Sequence, residues 1–423
     1  MAILISLVQF IIDKESPIQF IKTPLFLSFY ISIAFSTDEF SSSTKHVLSS
    51  LAPNGHWAIR IEGKNRSTKY SYNNSGNQES IGANYNGLNL NKDVFSSLAL
   101  FGDGATLGTT KTEIELESSY TKFMLGYGIT KNITVGVIIP YREKTTKVNF
   151  SISDGTIGVN PNFNPSQVVS AHNLPYLPIS EIGVNPITTA QLQALLASKG
   201  LEYKPLQSIR RSGLADPTIG LLWNAYHTPK ESLVFTTGYD ITMAKKDDPD
   251  NLISTNIGNG NSAIRLRLEY FRDLEYDFDT YGKFEYGIEL EDTVRKRVPK
   301  KGEFLAPKSS TERLNREIGD YRFYDIGIGK TWGDYRLSTA WRRSEKDADV
   351  YHSLKGTDVS MFESHTKAYV HQFEGSFSWS GVESWKKGNI PFPLVVKLNY
   401  RNSYEGKNAL KWKEVYLNVT SFF

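Results

Sequence analysis

Charged side chains recur at every second position along several segments of this 423-residue sequence. Arg265, Arg267 and Glu269, for example, alternate with aliphatic residues. Since successive side chains of a strand point to opposite faces, the spacing predicts one charged and one apolar face. In a confined interior such charges could brace the wall in pairs, or line a polar passage and select solutes by charge, and the sequence leaves both interpretations open. The predicted interior set is Arg60, Glu62, Lys64, Arg265, Arg267, Glu269, Glu285, Glu289, Glu291, Asp325, Arg336, Arg342, Glu374, Lys397, Arg401 and Glu414.

The sign of these charges changes between successive segments, which predicts pairing between neighbouring strands. Asp325 is expected beside Arg336 and Arg342, and Glu374 beside Lys397 and Arg401.

Enzyme chemistry has weak support in the sequence. The seven histidines show neither metal-ligand nor triad spacing, and no glycine-rich segment has a phosphate-loop pattern. Ser364 and His365 are adjacent, so alternation would point them to opposite faces. We therefore expect no catalytic residue, metal or cofactor. A membrane-embedded lipid hydrolase is the remaining enzymatic alternative, and His371 is its best candidate residue.

Twelve alternating segments could position the charges. Short connections such as 129–131 and 332–334 alternate with long polar ones, as in membrane barrels, whereas a soluble sandwich or propeller has no reason to separate the two kinds so cleanly. The predicted strands cover residues 57–73, 111–128, 132–150, 213–226, 232–245, 262–272, 278–295, 317–331, 335–350, 366–380, 393–404 and 411–423.

The apolar faces of these segments predict a surface that contacts lipid, with aromatic residues gathered at the strand ends. Aromatic residues make up 13% of the chain, hydrophobic residues 39%, and the mean hydropathy is −0.35, which suits a wet interior. We predict an all-β fold, a transmembrane antiparallel up-and-down β-barrel of about 12 strands with long extracellular loops and short periplasmic turns. The second strand changes phase between Leu116 and Phe123, which predicts a bulge there.

The loop over residues 151–212 is too long for a passive connection and is expected to fold onto the barrel. Within it, residues 188–199 predict a short helix capped by Thr188 or Thr189. The first long loop holds an apolar segment, residues 94–101. These loop segments could narrow the barrel mouth or simply pack on themselves.

The two chain ends carry export and assembly signals. Residues 1–36 predict a cleaved signal peptide, because Lys22 precedes an apolar run that ends in Ala34, Phe35 and Ser36. Residues 37–56 would form a periplasmic segment, and residues 57–423 the barrel. The terminal Phe423 resembles the C-terminal aromatic residue that the assembly machinery of outer-membrane barrels recognises. The net charge of +3 implies no nucleic-acid partner.

The sequence also resembles bacterial outer-membrane barrels of the meta-pathway phenol-degradation family, often called transporter-like. The resemblance rests on LAPNGHW at 51–57, LGYGITKN at 125–132 and GLADPTIGL at 213–221, and it covers most of the chain from Leu48. It implies a Gram-negative outer-membrane location, lipid as a partner, and uptake of small hydrophobic or aromatic compounds.

Two functions remain open from the sequence. We expect a channel or facilitator for passive uptake of a small solute. The alternative is a non-conducting surface protein whose extracellular loops bind a partner.

Overall fold

A closed antiparallel barrel of 12 strands forms the centre of the computed structural model, which describes residues 51–253, 256–300, 303 and 305–423. The fourth strand has two parts separated by residues 215–217. The strands are β1 (Trp57–Thr68), β2 (Thr106–Thr130), β3 (Ile133–Ser153), β4 (Ile209–Leu214 and Thr218–His227), β5 (Glu231–Asp240), β6 (Ala263–Asp273), β7 (Phe278–Glu289), β8 (Tyr321–Trp332), β9 (Tyr335–Lys346), β10 (Ala368–Ser380), β11 (Leu394–Lys407) and β12 (Lys413–Phe422).

Each strand pairs with the next along the chain, and β1 closes the ring by pairing with β12 from Ala58 opposite Phe422 to Ser67 opposite Lys413. Closure satisfies the backbone hydrogen bonds within the barrel and leaves it without an open sheet edge. A β-sheet that crosses the hydrocarbon core of a membrane requires both. The predicted fold class is therefore confirmed. No helix among the described residues is long and apolar enough to cross a membrane.

The outer face carries exposed aliphatic and aromatic side chains at alternate strand positions. Ile326 and Ile328 on β8, with Leu337 on β9, are each 45% exposed or more. Aromatic pairs contact each other across neighbouring strands on this face, as in Trp57 with Tyr127, whose ring centroids lie 5.0 Å apart. A continuous apolar exterior around a charged interior is the inverse of a soluble protein, and it fits contact with lipid.

The bulge predicted between Leu116 and Phe123 is absent. The ladders from β2 to β1 and to β3 run without a shift through this stretch, and the irregularity lies at Gly128–Thr130 instead. Ile114 and Leu116 occupy inward positions, where they are buried. The change of phase in the sequence therefore reflects apolar side chains on the covered inner face near the extracellular end.

β2 and β3 are the longest strands, with 25 and 21 residues, and the loops around their outer ends pack together. Helix α1 (Thr189–Ser198) lies in this region, and the Thr188 hydroxyl caps it by accepting from the backbone of Gln191. One hydrophobic cluster joins α1 to the first long loop and the strand ends, so these segments pack against each other. Its buried members are Leu90, Phe95, Leu98, Ala105, Leu107, Ile157, Ile187 and Leu192.

The predicted strand over residues 278–295 is divided in two. β7 ends at Glu289, and Asp292–Arg297 joins a separate three-stranded sheet with Thr311–Glu317 and Val350–Ser353. This sheet buries Val294, Leu314 and Tyr351, which explains why alternation continues beyond the barrel wall.

Arg297 ties the small sheet to two other loops. Its guanidinium donates to Asp250 at 2.6 Å and to the carbonyl oxygen of Glu202 at 2.7 Å, and it lies 4.1 Å from the Tyr203 ring centroid. We call the loops that contain Glu202 and Asp250, together with the small sheet, the extracellular cap.

The remaining elements are short. Helix α2 (Val382–Lys386) lies in the connection between β10 and β11. Further strand segments are Tyr70–Tyr72, Gln78–Ser80, Asn89–Asn91, Ile157–Val159, Tyr176–Pro178, Asn185–Pro186 and Ala409–Leu410, and 3-10 turns cover Ala83–Tyr85, Ser96–Phe101, Glu275–Asp277, Lys308–Ser310 and Ser360–Phe362.

Candidate functional site

A chain of ion pairs crosses the inner wall from β8 to β12. Arg342 contacts Asp325 at 2.8 Å and Glu374 at 3.1 Å, and Arg401 contacts Glu374 at 2.7 Å and Glu414 at 3.0 Å. The three carboxylates are almost completely buried. Since each guanidinium bridges two carboxylates, the charges satisfy one another, and we call these five residues the charged belt.

Further pairs flank the belt on both sides. Lys64 and Arg66 on β1 share Glu414, at 3.2 and 3.5 Å. On β6 and β7, Arg267 contacts Glu285 at 2.7 Å. Others join Arg265 to Asp240 and Glu289, Lys283 to Glu269, and Lys122 to Glu62.

Glycines on the intervening strands make room for this network. The Tyr321 ring and the Arg265 guanidinium both lie over Gly287, where an added Cβ would come within 2.1 and 2.3 Å of them. Tyr281 lies over Gly327 in the same way, 2.4 Å from an added Cβ. Large polar side chains therefore lie flat along the wall instead of projecting into the lumen.

A cavity of about 550 Å³ remains inside the barrel. The strands β1 to β7 form most of its lining, with Tyr321 of β8 and Thr420 and Phe422 of β12, and its wall combines small, apolar and basic residues. The lining includes Arg60, Lys64, Arg66, Tyr120, Lys122, Met124, Ile138, Arg142, Asp216 and Leu222.

Asp216 holds a loop against this cavity. One carboxylate oxygen accepts from the backbone nitrogens of Met243 and Ala244, both at 2.8 Å, and the other accepts from those of Asn259 and Gly260 at 2.9 and 3.1 Å. The break between the two parts of β4 places Asp216 where it can reach both ends of this loop.

The same loop lines the cavity through Ile257, Gly258 and Asn259. Arg142 donates to the carbonyl oxygen of Ile257 at 3.2 Å. A Cβ on Gly258 would lie 2.6 Å from Asp216 Oδ2, so only glycine fits without movement. The loop between β5 and β6 therefore folds inward and covers part of the cavity.

Comparison with solved structures shows the same kind of barrel. An outer membrane channel from Pseudomonas putida F1 matches 88% of this chain and 96% of its own length, with 10% identity and a TM-score of 0.51. The chain folds as an outer-membrane β-barrel. A toluene transporter of Ralstonia pickettii also matches, with 10% identity, coverage of 88% and 90%, and a TM-score of 0.35. A translocator domain of a Neisseria meningitidis autotransporter matches with 8% identity, coverage of 88% of both chains, and a TM-score of 0.37.

No protein-family model and no curated protein matches the sequence. The family suggested by the sequence therefore stays a prediction. Location follows from the architecture, because a closed barrel with an apolar outer band belongs in the outer membrane of a Gram-negative cell.

All of the predicted interior residues except Glu291 lie on the inner face of this outer-membrane barrel. Glu291 lies two positions beyond the end of β7 at Glu289, and its side chain is exposed. Arg336 faces inward as expected, but it pairs with Asp279 on β7 instead of Asp325. Lys397 lies on the inner face of β11, and Arg60 donates to the Thr420 hydroxyl at 3.1 Å.

His371 lies in an aromatic group on the outer face. Its ring centroid is 5.6 Å from those of Trp341 and Tyr369 and 6.1 Å from that of Tyr404. A register shift between β10 and β11 follows at Gln372, which faces inward and is buried. The structure therefore places His371 on the outer face of the barrel. Among the described residues, no group of three or more histidine, aspartate or glutamate side chains could hold a metal ion.

The first described residues lie inside the end of the barrel that is opposite the extracellular cap. Ala52 donates from its backbone to the Thr134 hydroxyl at 2.9 Å, and both Leu51 and Ala52 are buried. Gly128 makes room for this segment, because an added Cβ would lie 2.1 Å from the Pro53 carbonyl oxygen. The predicted signal peptide, residues 1–36, and most of the predicted segment 37–56 lie outside the described residues.

Sequence reasoning missed several cavity residues. Arg66, Lys122 and Arg142 have the same inward parity as the predicted set, so strict alternation would have found them. Asp216 lies in a break between strand segments, and alternation does not apply there. Its only local signal is the sequence Ala-Asp-Pro, which interrupts a strand.

Proposed function

We propose that this barrel is a passive outer-membrane channel for uptake of small solutes, in particular hydrophobic or aromatic compounds. The observation that carries the proposal is the cavity lined mainly by β1 to β7 and covered by the loop that Asp216 holds. With 12 strands the lumen is narrow, so a passage requires that inward side chains leave one side of the wall clear. The charged belt takes up the opposite side.

The inner wall has one side filled by ion pairs and another side with small or apolar residues, and this division supports the proposal. Belt residues pair with one another at 2.7 to 3.1 Å, so they brace the barrel. The cavity side instead presents small or apolar positions such as Gly136, Ile138, Gly220 and Leu222. A small apolar solute could contact this surface without displacing an ion pair. Movement would follow the concentration gradient.

Solute uptake into proteoliposomes tests the proposal. Purified protein is reconstituted into liposomes, and influx of small neutral aromatic alcohols is compared with influx of sugars of similar size. We expect faster entry of the aromatic compounds than protein-free liposomes allow. Uptake no faster than that of protein-free liposomes for every solute would contradict the channel.

One observation favours the alternative of a non-conducting surface protein. Val168 and Ile182, both in the long loop of the extracellular cap, are 86% and fully exposed. Exposed aliphatic residues on an extracellular loop suit contact with a partner protein. The alternative predicts that the barrel passes neither ions nor solutes.

A further inference from the structure

Basic residues cluster at one end of the cavity, across the first three strands. Register places Lys64, Tyr120 and Arg142 side by side on β1, β2 and β3. The next row toward the extracellular side holds Arg66, and the next row on the opposite side holds Lys122. Four cationic side chains therefore line one patch of the cavity wall.

The carboxylates around this patch are already engaged. Lys122 has Glu62 at 3.4 Å, but Lys64 and Arg66 share Glu414, which also accepts from Arg401 at 3.0 Å. The Asp216 carboxylate, which also lines the cavity, accepts from four backbone nitrogens. The acidic groups in contact with the patch therefore do not balance its charge.

Among the described residues Arg142 has no carboxylate partner, and Arg60 forms no ion pair, although Glu269 and Glu62 lie near enough to act on its charge. Arg142 donates to the Ser118 hydroxyl at 3.1 Å and to the carbonyl oxygen of Ile257, and Arg60 donates to the Thr420 hydroxyl. Both guanidiniums line the cavity and keep further donors. A guanidinium that faces a cavity with only neutral partners attracts an anion, since the low-dielectric wall strengthens the field.

Apolar residues adjoin the same patch. Register pairs Arg60 with Met124 and Met124 with Ile138, and Leu222 lines the cavity across from them. We propose that the cavity binds a small organic monocarboxylate, with its carboxylate at Arg142 or Arg60 and its apolar body against Met124, Ile138 and Leu222. This inference rests on the proposed channel and names its solute class.

Planar-bilayer recordings test the inference through charge selectivity. In a KCl gradient the reversal potential of the wild-type barrel should show preference for chloride over potassium. Benzoate should reduce the current more than benzyl alcohol does at the same concentration, because only benzoate carries the charge. A preference for potassium, or equal inhibition by the two compounds, would overturn the inference and leave the channel standing.

Matched variants separate the arginines from general effects. Arg142→Gln and Arg60→Gln should each lower the chloride preference and weaken inhibition by benzoate, whereas Arg142→Lys should retain most of both. Arg272→Gln is the control, since Arg272 lies near the turn after β6 and pairs with Glu231 outside the cavity. An equal loss of chloride preference and of benzoate inhibition in the control and in the cavity variants would contradict a specific site.

Absence of ion conductance in the wild-type protein would count against the proposed channel. The binding site then needs a direct binding measurement. Isothermal titration calorimetry of benzoate against the detergent-solubilised protein supplies it. Binding that is lost in both Arg→Gln variants and kept in Arg272→Gln would support the site. Absence of binding to the wild-type protein would overturn it.

Discussion

Arg336 on β9 reaches across β8 to form a bidentate ion pair with Asp279 on β7, with contacts of 2.7 and 2.5 Å. Gly329 lies between them, and a Cβ there would come within 2.3 Å of the guanidinium. Both charged side chains are about 95% buried. One glycine thus allows an ion pair to join two strands that are not neighbours.

This relationship predicts an asymmetry among glycine substitutions. Gly329→Ala should displace the Arg336 guanidinium and lower the free energy of unfolding by about 1–3 kcal/mol, the usual cost of overpacking. Gly282→Ala on β7 is the control, because its Cβ would meet nothing within 4 Å. Urea unfolding of the folded barrel in detergent measures both. Equal stability of the two variants would contradict the packing role of Gly329.

The assignment of faces can be tested with two adjacent leucines at one depth. Leu221 faces lipid and Leu222 lines the cavity. Leu221→Arg should cost about 2–4 kcal/mol if it lies near the bilayer midplane, whereas Leu222→Arg should cost about 1 kcal/mol or less, because a wet lumen solvates the charge. Reversible unfolding from liposomes compares them. A larger loss for Leu222→Arg would reverse the assigned faces.

Asp216 is expected to control the loop that covers the cavity. Asp216→Ala removes the acceptor of four backbone hydrogen bonds, so trypsin should cut faster at Lys245 and Lys246, and ion current should become larger or noisier. Asp103→Ala serves as the control, because the Asp103 side chain is 94% exposed and pairs with Lys92 at the surface. Unchanged cleavage and current in Asp216→Ala would remove Asp216 from this role.

Acid should loosen the extracellular cap before it unfolds the barrel. Burial would raise the pKa of Asp292, but hydrogen bonds from Arg316 and Lys246 outweigh it and hold the pKa below its ordinary value. A hydrogen bond from Lys204 likewise lowers the pKa of Asp248. The folded cap thus binds fewer protons than the unfolded chain, so its stabilisation is complete above the ordinary carboxyl pKa and is lost as the pH falls through the lowered values.

Pepsin digestion measures this loss, because the protease works on both sides of the transition. The cap should resist cleavage at about pH 4.5 and become sensitive at about pH 2.5. Asp292→Asn should be cleaved more readily than the wild type at the higher pH and respond less to acid. Equal cleavage of the wild-type cap at both pH values would contradict this account.

Alternation in the sequence was sufficient to predict the barrel. Leu266 and Arg267, for instance, are assigned to opposite faces by a period of two, and the ladders confirm that 12 such strands close. The period fails where strands leave the membrane. Leu116 points inward although it is apolar, and Asp292–Arg297 continues the alternation in a different sheet.

Contacts between distant loops are the part that sequence reasoning could not supply. Asp216 receives hydrogen bonds from residues up to 44 positions away, and Arg297 bonds to Glu202 across 95 positions. Such contacts follow from loop conformations that no short period encodes. Likewise, the pairing of Arg336 with Asp279 depends on Gly329, which only the register reveals.

Single-channel recording of the purified, refolded barrel in a planar bilayer tests the central claim most directly. The account predicts stepwise, steady conductance in the wild-type protein, which grows when Asp216→Ala releases the loop over the cavity. The contradicting result is an absence of conductance in the wild type, in Asp216→Ala and in a variant that lacks residues 151–212. That result would support a closed barrel that binds a partner.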